Sequence, residues 1–593
     1  MISRHNYIVS KSFRSYLAAT ILTLVINQVC LTTDGILMAH LVAPDALSAI
    51  NLMSPFNMIM ATVHALFAIG ASMLAGKALG AQQKDEARRI FTVSIISGIA
   101  FIVLVVLLCF AFLPYVVRGL CPEERIQPYL GQYIQMYLFL APVSMLSVLL
   151  KLFVGVDGNP ALVTRAATLE GLLNIAFDVF LVAIVGMGIA GSALGTGLGQ
   201  VCTICIMIWY IRSPRSAIGF EWHIPKWWVL LWNNVKEGMP TMLGNLVTAL
   251  AALGINYIVM DAQGADGVFI LSICMQTMSL AMLALNGCGD TLFSVGSVLM
   301  GEKDIDGVKI LTRYAFGLTC VFTGLLSAIV LIWPDGLAML YGAKTDHWLD
   351  VCRLPLREFA IMLFPLAIIM LSKFLYQLLG HRKLSSIIAT LVFIMILPSL
   401  LIMGWLAPNH IWLGFPIVSV LCLAGQIGAV SVIAQKMKNC HRFTLIPIET
   451  HVTDRISLSL SYDKDKTADD LRQVVDIMKT NQWPVSLINH AMLVAEELTK
   501  NICQHAVAHP RQHQHFDLVI NKLDDESVQL VVKDDGVLFD PRAHEVRQYT
   551  EQELLTLPQE SLKFGLMLAQ NSSTEMTYRQ MYGLNVTYVT IKI

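Results

Sequence analysis

The sequence predicts a polytopic α-helical membrane protein, with twelve transmembrane helices in two six-helix lobes, followed by a C-terminal cytoplasmic α/β sandwich domain. Three observations predict this fold class. Of 593 residues, 55% are hydrophobic and 14% are charged, with a mean hydropathy of +0.63, which is far more apolar than a soluble globular domain. About twelve apolar runs of roughly 20 residues lie between Ser15 and Ala434. After Lys438 the composition turns abruptly polar.

The twelve predicted spans are centred near residues 25, 62, 103, 143, 174, 200, 247, 282, 322, 366, 395 and 422. Basic residues collect before the first span, after each even-numbered span except the fourth, and after the last; examples are Arg14, Arg88, Arg212, Lys309, Arg382 and Arg442. The loop after the ninth span, with Lys344, Arg353 and Arg357, departs from this pattern. The positive-inside rule therefore places both termini in the cytoplasm, and we expect a bacterial cytoplasmic (inner) membrane protein.

An internal repeat predicts the two lobes. The segment "GKALGAQQKDEARRIF" around Gly80 resembles "SVLMGEKDIDGVKIL" around Gly301, and Pro142 and Pro365 occupy matching spans. Both pairs are about 220 residues apart, as in transporters built from two structural repeats around a central cavity. We expect one transmembrane domain over residues 1–440, with repeats of about 1–215 and 230–440.

Charge and cysteine usage exclude some classes of protein. The net charge of −1 gives no overall field that would favour nucleic acid as a partner. The 12 cysteines are scattered, and the Cys202 and Cys205 pair lies in an apolar run without a second pair to complete a metal site, which favours helix packing. The basic N-terminal stretch precedes an apolar run longer than a signal-peptide core, so we expect a retained first span.

Residues 441–593, called the tail below, have the pattern of a soluble domain. A strand pattern ("RISLSLSY") is followed by two helical stretches ("TADDLRQVVDIMKTN" and "INHAMLVAEELTKNICQHA"). Three further strand patterns are "HFDLVINKL", "SVQLVVKD" and "NVTYVTIKI". This order predicts an α/β sandwich of about 145 residues, an ordinary size for one domain.

Carboxylates at bilayer depth are functional candidates because burying a charge there is costly. Asp34 lies near the end of the first span, and Asp178 lies within the fifth, where Glu170, Asn174 and Asp178 share a helix face. A buried aspartate can exchange a proton with a gradient, or can hold Na⁺ with amide oxygens, and a purely structural carboxylate is the alternative. We expect Glu170 to extend towards the interface, and Asp290 is a weaker candidate in a glycine-rich segment.

At these residues the chain resembles the multidrug and toxic compound extrusion (MATE) family. The likeness covers nearly all of residues 15–435 and rests on "DGILMAHLVAPDALSAINLMSP", "GASMLAGKALGAQQKDEARR", "VGVDGNP" and above all "NIAFDVFLVAIVGMGIAGSALGTGLGQ". The resemblance implies efflux of amphiphilic or cationic small molecules coupled to H⁺ or Na⁺. It places a cation site in the first lobe at Asp34, Asn174, Asp178 and Thr196, with Asn159 a looser match. Where some members carry acids in the second lobe, this chain has Asn245, Asn256, Lys373 and Gln377.

The tail contains a second group of candidate site residues. Glu497 and Asn501 lie one turn apart, where an amide can bind Mg²⁺ and a carboxylate can activate a nucleophile. Asp534-x-Gly536 follows a strand, and Phe539-Asp540-Pro541 comes next. Together they resemble the histidine-kinase-like ATPase fold, in its anti-sigma serine kinase branch. The resemblance implies ATP with Mg²⁺, Glu497 as general base, Asn501 as metal ligand, Asp534 as acceptor of the adenine amine, and Gly536 and Gly565 at the nucleotide.

The tail departs from that family where phosphates bind. Leu538 stands where a second glycine is expected, and "SLKFGLMLAQ" supplies only Gly565 to the lid. Backbone N–H groups can cradle phosphates only where side chains leave room, so ATP binding and residual serine kinase activity stay open. The histidines at 505, 509, 513 and 515 fit a solvated loop better than a metal site.

The chain has no G-x-x-x-x-G-K-[ST] phosphate loop, so ATP is not expected to drive transport. We therefore predict a secondary-active efflux antiporter whose tail is a regulatory sensor or protein-docking module. The alternative is a membrane-tethered signalling protein, in which the tail binds or phosphorylates a protein regulator.

Overall fold

A computed structural model describes residues 4–42, 49–50, 52–120, 125–341, 345–437, 439–448, 454–505, 515–537, 539–541 and 569–593. Within these ranges, 12 helical segments are long and apolar enough to cross a membrane. Each contains one of the predicted span centres, so the prediction of a multi-pass membrane protein is confirmed. Length and apolar composition determine this result because a spanning helix must satisfy its own backbone inside lipid.

In the ranges that the structure describes, the first half of the chain forms the helices α1 (Tyr7–Leu41), α2 (Ser54–Gly80), α3 (Lys84–Ala111), the short α4 (Leu113–Leu120), α5 (Gln127–Val156), α6 (Pro160–Asp178) and α7 (Ile189–Ile211). Helix α5 packs against α2, α3 and α7, and α6 packs against α7. Directly after Asp178 the chain forms a π-helical turn, Val179–Ile184, and such widened turns are frequent at functional sites.

The second half continues with α8 (Trp227–Gly301), α9 (Ile305–Ile332), the short α10 (Pro334–Leu340), α11 (Asp346–Leu378) and α12 (Arg382–Leu406). A 3₁₀ turn (Pro408–Leu413) leads into α13 (Gly414–Met437). Helices α11, α12 and α13 pack against one another. The packing among α2, α3, α5, α6 and α7 in the first half, and among α11, α12 and α13 in the second, is what two helical lobes require.

The connection between the seventh and eighth spans is a kink in one helix. Helix α8 runs through it, and only Gly264, with φ +65° and ψ −151°, leaves helical geometry. The flanking segments Trp227–Gly264 and Asp266–Gly301 are the two spans. A positive φ costs glycine little, so a single residue can separate the two spans.

The tail is an antiparallel sheet with helices on one side. Its elements within the described ranges are β1 (Arg455–Ser461), α14 (Lys464–Thr480), α15 (Val485–His505), β2 (His515–Lys522), β3 (Ser527–Asp534), β4 (Glu575–Met581) and β5 (Leu584–Lys592). The strand order is β1-β2-β3-β5-β4. The sequence analysis missed β4. The Tyr582-Gly583 pair joins β4 to β5. Both residues have positive φ, which is the geometry of a two-residue β-hairpin turn.

The sheet has two different faces because side chains alternate along each strand. One face carries apolar residues such as Leu458, Leu518 and Leu530, which pack with the tail helices in a hydrophobic core. The other face carries polar residues, among them Ser457, Ser459, Asp517, Lys533 and Tyr588, and all of them are buried or half-buried. We call this the second face of the sheet.

The described chain divides into two compact units. One contains residues 17–298 and 312–446. The other contains the tail from Pro447 onwards together with residues 1–16 and 299–311, which come from the transmembrane part of the sequence. The second face of the sheet is therefore buried by segments that lie far from the tail in the sequence.

Candidate functional site

The predicted cation site of the first lobe forms a buried polar cluster. Asp34, Asn174 and Asp178 are each at most 8% exposed. The Ser192 hydroxyl donates to Asp178 Oδ2 at 3.2 Å. Asn174 Nδ2 donates to Thr196 Oγ1 at 2.9 Å, and Thr196 Oγ1 donates to the Ser192 carbonyl at 3.2 Å. The structure thus brings the four predicted residues together and adds Ser192.

The two carboxyl groups of this cluster face each other. The Asp34 carboxyl interacts with Asp178 and with the Asn174 amide. Asp34 Oδ1, Asn174 Oδ1 and Asp178 Oδ1 are buried and find no hydrogen-bond partner among the described residues. Two adjacent carboxylates repel, so at least one proton or one cation must lie between them for the cluster to be stable.

Close packing confines Asp178 from the side of α7. A Cβ built on Gly195 would lie 2.4 Å from Asp178 Oδ1 and 3.2 Å from the Asp178 backbone nitrogen. Glycine at this position therefore lets α7 approach the carboxyl group closely. Because Ser192, Gly195 and Thr196 share one stretch of α7, this stretch forms the wall of the cluster.

We expect Gly195→Ala to reduce efflux about tenfold, because overpacking a buried site costs ~1–3 kcal/mol and here it displaces a carboxyl oxygen. The measurement is dye efflux at matched membrane levels. Gly317→Ala in α9 is the matched control, since no atom lies within 4 Å of its added Cβ. Equal efflux by wild type and Gly195→Ala would contradict a role for this wall.

Other residues that the sequence analysis named have structural roles. Asn159 caps α6, where its side chain accepts from Leu162 N at 3.2 Å, and so does not join the cluster. Glu170 pairs with Lys151 at 3.2 Å and accepts from Thr203 at 2.8 Å. Lys151 was missed because a lone lysine in an apolar run carries no signal of its partner on another helix.

In the second lobe, Gln377 is fully buried and bridges two neighbours: it accepts from Thr241 at 3.1 Å and donates to the Glu237 carbonyl at 2.5 Å. Lys373 is buried with its ammonium 4.5 Å from the Phe374 ring centroid. Asp290 is half-buried. The first lobe, unlike the described part of the second, shows two carboxyl groups in contact.

The predicted nucleotide residues of the tail lie on α15 and at the end of β3. Helix α15 packs against β3 and carries Glu497 and Asn501 one turn apart. Asn501 is 8% exposed, and its Nδ2 atom is buried without a hydrogen-bond partner in the described ranges. A buried amide of this kind is costly unless something binds it, so the position suits a ligand.

Asp534 ends β3 and is held by the turn that follows. Its Oδ1 atom accepts from Gly536 N at 2.9 Å and from Asn585 Nδ2 at 3.0 Å. Asn585 in turn accepts from the Tyr578 hydroxyl at 2.7 Å. The sequence analysis missed Asn585, because it is brought to Asp534 by the pairing of β3 with β5.

Several predicted tail residues fall outside the described residues: Gly565, Leu538, His509 and His513. His515 is described, and its ring stacks on His5 at a centroid distance of 4.2 Å. Among the residues that the structure does describe, no group of three or more His, Cys, Asp or Glu side chains could hold a metal ion.

The described residues fit the two ends of a bound ATP with Mg²⁺. The unpartnered amide of Asn501 lies on the same helix as a half-buried carboxylate, and the Asp534 carboxylate is fixed in orientation by two donors. The amide oxygen of Asn501 would bind the metal, its unpartnered Nδ2 atom would donate to a phosphate oxygen, and Asp534 would accept a hydrogen bond from the adenine amine.

Two family models match this chain. The model described as MatE matches residues 19–180, and the model described as histidine kinase-like ATPase domain matches residues 461–591. Multidrug export protein MepA of Staphylococcus aureus is 24% identical over 211 residues, which are 35% of this chain and 47% of that protein. The MepA of Staphylococcus haemolyticus is 21% identical over 212 residues. The chain spans about half the length of these curated relatives.

Solved structures resemble the transmembrane part. A mutant of the Vibrio cholerae MATE transporter VcmN is 17% identical with a TM-score of 0.68, and covers 73% of this chain and 98% of its own. An outward-facing multidrug resistance MATE family transporter of the MOP superfamily is 18% identical with a TM-score of 0.66, and covers 73% of this chain and 96% of its own. At these identities the likeness concerns the fold.

Proposed function

Because the chain contains a MATE domain in residues 19–180 and a histidine-kinase-like ATPase domain in residues 461–591, we propose that it is a secondary-active efflux antiporter with a regulatory tail. It exports organic amphiphiles or cations in exchange for H⁺ or Na⁺. It resides in a bacterial cytoplasmic membrane with both termini in the cytoplasm.

The observation that carries the proposal is the contact between Asp34 and Asp178 on two different helices. A pair of carboxyl groups at bilayer depth must gain a proton or cation to stay together and must release it to separate. Helix α6 widens into a π turn immediately after Asp178, so a local change of winding there can move the carboxyl group. Ion exchange at this pair can thereby bias alternating access.

The experiment is efflux of a fluorescent cationic dye by the full chain in proteoliposomes, under an imposed pH gradient or an imposed Na⁺ gradient. Dye movement driven by one gradient and not the other identifies the coupling ion. Movement under neither gradient, with protein correctly inserted, would reject the proposed antiport of such dyes.

The tail binds ATP with Mg²⁺ in this proposal, where the metal ion neutralises phosphate charge. Asp534 accepts from the adenine amine, Asn501 holds the metal, and Glu497 stands one turn away as a base. Since the chain lacks a phosphate loop, nucleotide binding serves regulation and not the energy of transport.

We expect Asp534→Asn to weaken binding of a fluorescent ATP analogue about tenfold or more, because a hydrogen bond to a charged group contributes ~1.5–3 kcal/mol. Binding is measured by titration of the purified full chain with Mg²⁺ present. Asp525→Asn is the matched control, since that carboxylate is 85% exposed in the β2–β3 turn and pairs with Lys522. Unchanged affinity in Asp534→Asn would contradict the assigned nucleotide site.

The signalling alternative is less well supported. A buried carboxyl pair such as Asp34 and Asp178 serves ion-coupled transport, and a sensor would not need it. A pulldown with the full chain in detergent tests that alternative, and a specific protein bound in the absence of transport would favour it.

A further inference from the structure

The second face of the tail's sheet binds the first residues of the chain. Arg4 is 5% exposed in its side chain and forms ion pairs with Asp304 and Asp517, the latter at 3.0 Å. The same guanidinium donates to Ser457 Oγ at 2.6 Å. The next residue, His5, donates its backbone N–H to Ser459 Oγ at 2.9 Å. These contacts join residues 300 to 513 positions apart in one buried network.

A second set of contacts binds the connector between α8 and α9. Glu302 is buried and pairs with Lys533, whose side chain is 8% exposed. The Tyr588 hydroxyl donates to Glu302 Oε1 at 2.7 Å, and Asn521 Nδ2 donates to the Glu302 carbonyl at 3.0 Å. Arg455 donates to the Lys303 carbonyl. The connector is thus held by four side chains from four strands of the tail, so its fit is specific.

A third contact links the end of β3 to helix α1. Asp535 is buried, and its Oδ2 atom accepts from Tyr7 and from Lys11, each at 2.6 Å. Its neighbour Asp534 belongs to the proposed adenine site. The two adjacent aspartates point to different partners, so a change at the nucleotide side lies one peptide bond from a contact with the first transmembrane helix.

We propose that the second face of the tail's sheet is a docking surface for the transporter's own residues 4–11 and 302–306, and that the docked tail restrains transport. This regulation rests on the proposed antiport function. Residues 4–11 include the first residues of α1, which carries Asp34, and residues 302–306 include the connector between α8 and α9. Alternating access moves one repeat against the other. A rigid sheet that binds the cytoplasmic ends of both repeats opposes that motion. In each transport cycle the sheet must either release the bound segments or become strained.

Buried charge explains why docking is specific. Lys533 and Glu302 have side-chain exposures of 8% and 1%, so each is costly to bury without the other. Removing one partner leaves the other charge buried, and the docking equilibrium then shifts towards the undocked state, where water solvates both. Glu302→Gln is informative because it leaves the sequence of the tail unchanged.

The experiment places a protease site between Ile448 and Asp454 of the full chain in membranes. After cleavage only non-covalent contacts retain the tail, and sedimentation separates bound from released tail. We expect wild-type tail to stay with the membranes, and Glu302→Gln to weaken retention about a hundredfold, as the loss of one partner of a buried pair implies. The charge exchange of Glu302→Lys with Lys533→Glu should restore part of the retention.

Lys522→Met is the matched control, because this tail lysine pairs with the exposed Asp525 and should leave retention unchanged. Uncleaved Glu302→Gln should export dye about fivefold faster than wild type. A fivefold effect is at the lower end of the usual range for coupling between two sites. Release of the wild-type tail on cleavage, equal retention in Glu302→Gln, or equal dye export by both proteins would overturn the proposal. Absence of dye export from both would count against the antiport function, while retention would still decide whether the tail docks.

Discussion

Replacing Asp178 by Asn is expected to abolish gradient-driven dye efflux while the protein remains in the membrane at wild-type levels. The substitution keeps the size of the side chain and can keep a hydrogen bond with Ser192, but an amide neither releases a proton nor carries the charge that attracts Na⁺. The pair with Asp34 then loses the ion exchange that drives the cycle. Efflux from cells or proteoliposomes, normalised to membrane protein, measures the effect.

The matched control is Asp261→Asn, an exposed aspartate close to the kink at Gly264. It removes one carboxylate from the transmembrane part of the chain without touching the cluster, and we expect normal efflux. Undiminished transport by Asp178→Asn would remove Asp178 from the coupling mechanism. Loss of transport in both variants would point to general charge effects and not to the pair.

Replacing Arg4 by Met is expected to be the most damaging single change to the docked tail. Arg4 lies between the buried carboxylates of Asp304 and Asp517, so its loss leaves two like charges without their shared cation. Breaking a buried pair in this way typically costs ~3–5 kcal/mol. The local free energy of opening of residues 302–311, measured by hydrogen exchange on the full chain, should fall by about that amount.

The pKa shifts of Asp304 and Asp517 determine how the stability of the docked segment depends on pH. Burial alone raises the pKa of Asp304, but Arg4 and Lys533 lower it more, so it lies below its ordinary value. The contribution of the Asp304 carboxylate to the stability of the docked segment is therefore fully present above about pH 4, the ordinary pKa of an aspartate. It is lost as the pH falls through the lowered pKa. For Asp517, burial raises the pKa and outweighs the opposing effect of Arg4. Its charged form is thus costly at neutral pH.

This difference supplies the control for Arg4→Met. Asp517→Asn removes the costly charge and keeps a hydrogen-bonding side chain beside Ser459, so we expect its opening free energy to stay within about 1 kcal/mol of wild type. Asp304→Asn should weaken the segment much more. Equal effects of the two substitutions, or no effect of Arg4→Met, would contradict this account of the network.

The sequence placed Asn174 and Asp178 of the predicted cation site together because both lie on one face of α6. Asn174 and Asp178 are one turn apart, and the regular geometry of a helix places them together without any knowledge of tertiary packing. It did not predict Ser192 and Lys151, because these residues meet their partners only when different helices pack. It also gave no sign that Gly195 brings α7 against the Asp178 carboxyl group.

The tail shows the same division. The spacing of Glu497 and Asn501, and the Asp534-x-Gly536 turn, were visible because both are local patterns. The strand β4 was missed because its hairpin begins with Tyr582 at a positive φ, which a tyrosine seldom adopts. Asn585 was missed because it reaches Asp534 through strand pairing across about fifty residues.

By itself the sequence determined which segments cross the membrane and which form the tail, because hydropathy and periodicity act within about twenty residues. Only the tertiary structure decided that residues 4–11 and 302–306 pack on the second face of the tail's sheet. The charges of Arg4, Glu302, Asp304 and Lys533 look like ordinary solvated loop charges in sequence. Their burial depends on partners hundreds of positions away, and an ion pair between such positions leaves no periodic signal in the chain.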